Sequence, residues 1–422
     1  MSKIHVIALL FSLAVNLPSA GQGNTRPNQE PETAARQQDF APKLLVPHDV
    51  KVLPEDSVRE AVSAAAPIGS APINFASVNG CVIENQTIVG ACPQNGVTTN
   101  VPTIIVPVVF NLNSGVLLFN PTATDTGCLG AGNTGLGLLQ NSPLISAGHT
   151  FILNGENEGA TQYVDAFTRA QFSRTKGAGY NVNLNPVTIG ATLTVSVTGA
   201  PNTNGDAFNF TGQCGTNPAP TNAAGDLGVV NINFLNPLLQ NYITAHAIPS
   251  TTFTYFLLYN TVISNGAANN LNNCCILGFH SAFGAGPNTY GIGDFEGRNQ
   301  TLFGGTADVS VSSHEIAEWL DDPFGNNTAS PATPWGVIGQ VSGCQSNLEV
   351  GDPLSGTLIP VVTLNGFNYH LQELAFFSWF THDNPSLGAG GKYSDNGTFG
   401  GFAKPCPPGA VSYTHLTLPT KA

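Results

Sequence analysis

The stretch that decides the fold is Val309-Ser310-Val311-Ser312-Ser313-His314-Glu315-Ile316-Ala317-Glu318-Trp319-Leu320-Asp321-Asp322-Pro323. Residues 308 to 320 read as a helix. Ala317, Trp319 and Leu320 turn one face to a core, and Pro323 stops the helix. Residues four apart share a helix face, so His314 and Glu318 are neighbours. Asp321 continues that stripe with Asp322 beside it, and Glu315 lies roughly 100° round from His314. Two ligands one turn apart, with a Glu after the first, is the logic of the HExxH zinc helix, whose Glu serves as general base. Here Glu318 stands where the second His would be. A carboxylate binds zinc, but it adds negative charge and hardens the site. The expected cofactor is a divalent metal, zinc foremost, with Mn or Ca also suited. The plain alternative is a helix with Glu318 solvated and His314 capping a core.

The acidic residues outside the helix sharpen this. The chain has 26 Asp and Glu in 422 residues. Glu315, Glu318, Asp321, Asp322, Glu349 and Asp352 fall close together, whereas residues 166 to 292 hold only Asp206 and Asp226. The expected metal ligands are His314, Glu318 and Glu349, with Glu315 catalytic. Asp352, Asp322 and His280 are further candidates, as ligands or as supports of ligands. An acidic ligand some way after the helix fits the gluzincin order of an HExxH helix followed by Glu. His370 and His382 flank the aromatic run Phe376-Phe377-Ser378-Trp379-Phe380 and are candidates to line a cleft, or surface histidines at loop ends.

Several blocks resemble the plant phosphate-induced, Exordium-like extracellular proteins. They are residues 275 to 283 with Gly278-Phe279-His280, Tyr290-Gly291-Ile292-Gly293-Asp294, the valine-rich lead into His314-Glu315-Ile316-Ala317-Glu318, Asp322-Pro323, Trp335, and the Glu349/Asp352 pair. The resemblance covers about residues 270 to 355. The flanking Thr161–Phe167 and Tyr369–Phe380 stretches look more like uncharacterised secreted bacterial proteins. The resemblance implies an α+β, zincin-like fold: a twisted mixed sheet with a metal-binding helix beneath it, β-rich overall with long loops. It implies no settled reaction.

Composition bounds the rest. Charged residues are 9% of the chain, against roughly 25% in typical soluble domains, and hydrophobic residues are 41%. Gly, Asn, Thr, Ser and Pro fill the difference, which favours strands and turns. A net charge of −13 repels phosphate backbones and argues against nucleic acid as a partner. Residues 1–20 read as a signal peptide: Lys3, a short apolar core from Ile7 to Val15, then Ser19-Ala20. The expected location is therefore extracellular or periplasmic, with no membrane span after cleavage. Residues 21–70 read as a flexible linker or pro-segment, 71–410 as one zincin-like β-rich domain, and 411–422 as a non-native, adapter-derived tail. Eight cysteines in an exported chain suggest disulfides, with Cys81 and Cys92 the first pair.

Expected strands are residues 101–110, 191–197, 227–234, 252–262, 276–283 and 290–295, with a helix over 162–174. Three functions are open. One is a secreted metallohydrolase, most simply a peptidase, in which Glu315 acts as general base on a metal-bound water. Another is a non-catalytic extracellular or cell-envelope protein stapled by a structural metal. The third is a carboxylate-pair glycosidase using Glu315 or Glu318 with Glu349. The partner is correspondingly a peptide or protein substrate, or an envelope component.

Overall fold

Residues 98–112 run Thr-Thr-Asn-Val-Pro-Thr-Ile-Ile-Val-Pro-Val-Val-Phe-Asn-Leu, and this β-branched, near-continuous apolar run makes the longest strand. In the computed structural model the described residues are 73–74, 79–83, 85–112, 117–175, 179–197, 206–210, 227–269, 274–284, 287–297, 305–329, 335–336, 344 and 346–406. The expected signal peptide, linker and tail lie outside them. Contacts divide the chain into Met1–Ala41 and Pro42–Ala422, and every described residue belongs to the second unit.

A mixed seven-stranded sheet organises the fold. Its strands are β1 (Thr98–Leu112), β2 (Leu117–Phe119), β3 (Asn181–Ile189), β4 (Leu193–Val197), β5 (Phe253–Tyr259), β6 (Gly278–Phe283) and β7 (Asn288–Phe295). The order is β6-β7-β5-β1-β2, with β3 and β4 pairing successive halves of β1. β5 is parallel to both β1 and β7, while β6 returns antiparallel to β7 at the edge. A four-stranded sheet (residues 207–210, 227–231, 261–264 and 274–276) lies elsewhere in the chain.

The faces of β5 show how the layers form. Phe253, Tyr255, Leu257 and Tyr259 enter one core, and Phe256 and Leu258 enter another. That alternation is the period of two that a strand imposes. The second core is covered by α2 (Ile232–Ala245) through Ile232, Leu235, Leu239, Tyr242 and Ile243. The first takes α1 (Tyr163–Gln171), α3 (Ser310–Asp321) and the segment leading to α4 (Phe377–Thr381). The molecule is thus mixed α+β and strand-rich, with helices on both faces of the sheet.

Two expected strands differ from the structure. Residues 227–234 split into a strand, Leu227–Asn231, and the start of α2. The Asn231 side chain accepts from the Asn233 N–H and caps the helix, and apolar spacing carries the helix past Pro237. Residues 252–262 break at Asn260, whose φ of 44° turns the chain from one sheet into the other. Cys81 and Cys92 form a disulfide, as do Cys344 and Cys406, and Cys128 and Cys275 are also disulfide-bonded.

Candidate metal centre

α3 is buried along its whole length. A helix buried on all sides is normally apolar all round, yet this one carries His314, Glu315, Glu318 and Asp321. Trp319 fixes its orientation by stacking on Phe253, ring centroids 3.8 Å apart, and the loss of such a side chain costs about 3–5 kcal/mol. Ser313 Oγ donates to the Ser310 carbonyl and accepts from the Gln372 N–H, and the Tyr255 hydroxyl donates to Ser312. These contacts seat the helix between β5 and the chain near residue 372.

Three segments bring the site together: α3, the edge strand β6 with His280, and the loop carrying Glu349 and Asp352. His314 Nε2 is 3.0 Å from Glu318 Oε1 and 3.6 Å from Asp352 Oδ1. His280 Nδ1 is 3.7 Å from Glu318 Oε2 and 3.9 Å from Glu315 Oε2, and its Nε2 is 3.8 Å from Glu349 Oε2. No side chain among these six is more than 8% exposed. His280, Glu318 and Glu349 form one group able to hold a cation, and His314, Glu318 and Asp352 another. No family model, no curated protein and no solved structure matches this chain. The chemistry therefore rests on the residues themselves.

The donor set fits a divalent metal on three observations. Apart from the His314–Glu318 contact, the separations exceed hydrogen-bond range. They are close to the edge of a coordination polyhedron, about 3.4 Å for metal–ligand bonds of about 2.1 Å. His280 Nε2 is buried without a hydrogen bond. Finally, two glycines make the space. A Cβ on Gly351 would lie 2.5 Å from His314 Nδ1, and one on Gly278 would lie 2.7 Å from Glu315 Cγ.

The electrostatics point the same way. Burial alone would lower both imidazoles. At His280 the charges of Glu349, Glu318 and Asp322, with the polar contact to Glu315, outweigh it and hold the ring at about 10. At His314, Glu318, then Glu315 and Asp352, do the same, again to about 10. Burial raises the Glu315 carboxyl above its ordinary range, against the pull of the two imidazoles. The cluster calls for positive charge, which a dication could supply in place of protons.

Asp322, Asp321 and His370 have partners of their own outside this cluster. Both Asp322 oxygens accept the Asn327 N–H, and one also accepts the Asn326 N–H, so this side chain organises the turn after the helix. Asp321 accepts from Gln171 Nε2 at 2.9 Å on the far side of the stripe. His370 pairs with Asp308 at 2.6 Å, which raises its imidazole.

Gln372 carries no signal in the sequence and is central here. Its Nε2 donates to the Gly351 carbonyl at 2.7 Å, a group that can only accept. Its Oε1 is therefore the end facing His314 Nδ1 at 3.1 Å, and Nδ1 must donate. Nε2, the nitrogen facing Glu318 and Asp352, is left as the atom that could take a metal. The Gly351 N–H also donates to Glu318 Oε1. One glycine thus holds a carboxylate with its N–H, orients a histidine through its carbonyl, and makes room for the ring by lacking a side chain.

Proposed function

We propose that this chain is an exported, metal-dependent hydrolase acting on peptide bonds, with Glu315 as general base and a metal held by His314, Glu318 and their neighbours. The observation that carries it is the buried convergence of two imidazoles and four carboxylates around a helix whose Glu315 directly follows His314. A bound dication at such a site polarises a carbonyl and acidifies water. Burial raises the Glu315 carboxyl above its ordinary range, the direction that makes a carboxylate a better proton acceptor.

A peptide substrate is favoured by the edge strand. The Asp294 N–H bonds the Leu277 carbonyl. By the antiparallel alternation, Gly278, His280 and Ala282 then aim their N–H and C=O groups away from β7. β6 has one neighbouring strand among the described residues. His280 is partly exposed while its side chain is only 5% exposed, so its main chain carries the exposure. An extended peptide docked there would lie beside Glu315. Export is supported by the disulfides, and no described helix is long and apolar enough to cross a membrane.

The near-complete burial of the ligands favours a second reading, a metal that staples an extracellular, Exordium-like protein without turnover. A casein assay of the purified protein, with and without chelator, separates the two. Hydrolysis that chelator abolishes, and that falls at least 100-fold in Glu315→Gln with metal retained, supports the hydrolase. Activity surviving Glu315→Gln removes that mechanism. Metal content without any hydrolysis leaves the staple.

A further inference from the structure

The two ligand groups share one residue, and Glu318 turns a different oxygen to each. Oε1 faces His314 Nε2 at 3.0 Å and is held by the Gly351 N–H at 3.2 Å. Oε2 faces His280 Nδ1 at 3.7 Å. A single ion drawn to one group leaves the other imidazole and its own carboxylate, Glu349 or Asp352, still buried face to face. Ionised, Glu315, Glu318, Glu349 and Asp352 carry four negative charges. Two dications balance them with both imidazoles neutral and ligating, whereas one leaves the second imidazole to supply the remaining positive charge as a proton. A second, independent observation is His280 itself. Its side chain is 5% exposed, its Nε2 has no hydrogen bond, and that atom points at Glu349. A histidine buried on a strand for packing alone would have its ring nitrogens satisfied by hydrogen bonds.

We propose that the centre is built for two adjacent divalent transition-metal ions, with Glu318 as the carboxylate between them. His280 and Glu349 complete one position, and His314 and Asp352 complete the other. The mixed imidazole and carboxylate donors suit zinc, manganese or iron over calcium, which prefers oxygen alone. This inference rests on the metal-site reading above and adds stoichiometry and the role of Glu318. Carboxylate-bridged pairs clamp the attacking and leaving oxygens of a displacement, which makes His280 a ligand of the working centre.

The test uses the full chain, stripped with chelator, reloaded with Mn²⁺ alone, desalted, and counted by elemental analysis alongside low-temperature electron paramagnetic resonance. Two equivalents with an exchange-coupled spectrum are expected. One equivalent with an isolated six-line spectrum overturns the pair while leaving a single-metal hydrolase or staple intact. No bound metal overturns both. Glu349→Gln and Asp352→Asn strike opposite positions, and each is expected to retain one equivalent and convert the spectrum to that of an isolated ion. Two coupled ions in either variant overturn the assignment. If both variants fail to fold, the wild-type count still decides.

Discussion

The molecule buries carboxylates in two different ways, the nearest of each kind, Asp352 and Glu373, being 21 residues apart in sequence. Around Glu373 and Asp395 every acid is met by donors at hydrogen-bond distance. Glu373 Oε1 accepts from Ser394 Oγ at 2.7 Å and the Thr398 N–H at 3.0 Å, and its Oε2 accepts from Thr398 Oγ1 at 2.7 Å. Asp395 accepts from the Leu374 N–H at 3.1 Å and contacts the Tyr163 hydroxyl at 2.5 Å. Around α3, carboxylates instead face imidazoles at 3.6–3.9 Å in four of five contacts. The first arrangement is closed by the protein's own dipoles. The second keeps the spacing of ligands around a cation. The difference separates acids that the protein satisfies itself from acids placed so that they could hold a cation.

The largest effect should come from stripping the second cluster. An ion at about 1,000 times its dissociation constant stabilises the folded state by about 4 kcal/mol. Excess chelator is therefore expected to lower Tm by about 5–10 °C, restored by Zn²⁺ or Mn²⁺. No change in Tm would place both clusters in the same class. Next in size is Glu373→Ala, which orphans the buried Ser394 hydroxyl and frees two part-buried donors of Thr398 to water, and should cost about 2–3 kcal/mol in denaturant unfolding. Its signature is that the loss is equal with and without chelator. A loss that disappears in the stripped protein would show that the two clusters are coupled.

Smaller again is Gln372→Leu. The substitution keeps volume and burial but removes the acceptor for His314 Nδ1. Loss of such a partner typically weakens metal binding 10–100-fold. Competition against a chromophoric chelator reads that directly, and unchanged affinity would deny Gln372 its orienting role.

What the sequence could and could not carry follows from range. His314, Glu315 and Glu318 are legible because helix geometry makes their spacing meaningful, and Glu349 and Asp352 because acids are so scarce here. The β1 strand is legible from its near-continuous apolar run. Gln372 is not, because its partners are 21 and 58 residues away and a glutamine in an apolar run has no period. Nor is the double use of Glu318, which depends on β6 and the 349–352 loop meeting α3 from different sides. The helix of residues 232–245 is hidden by Pro237 and by the strand that runs straight into it.

The last expected effect concerns pH and belongs to the donor-closed cluster. Tyr163 has one hydroxyl proton but two acceptors, the Gln372 carbonyl at 2.6 Å and Asp395. The carbonyl cannot donate, so the network closes best when Asp395 is itself protonated and donates to Tyr163. Burial pushes Asp395 up to about 8, with Glu373 adding to the rise and the Tyr163 and backbone hydrogen bonds working against it. Between the unfolded value near 4 and about 8 the folded state therefore holds a proton that the unfolded state has lost. Stability from this group is full below pH 4 and declines as pH rises towards 8. Asp395→Asn replaces the acid O–H with an amide N–H that donates at any pH. Relative to wild type the variant should gain stability steadily from pH 4 to 8 in thermal melts of chelator-treated protein, which silences the metal cluster. Parallel curves would mean that Asp395 is ionised in the folded state and that Tyr163 gives its proton to the carboxylate instead.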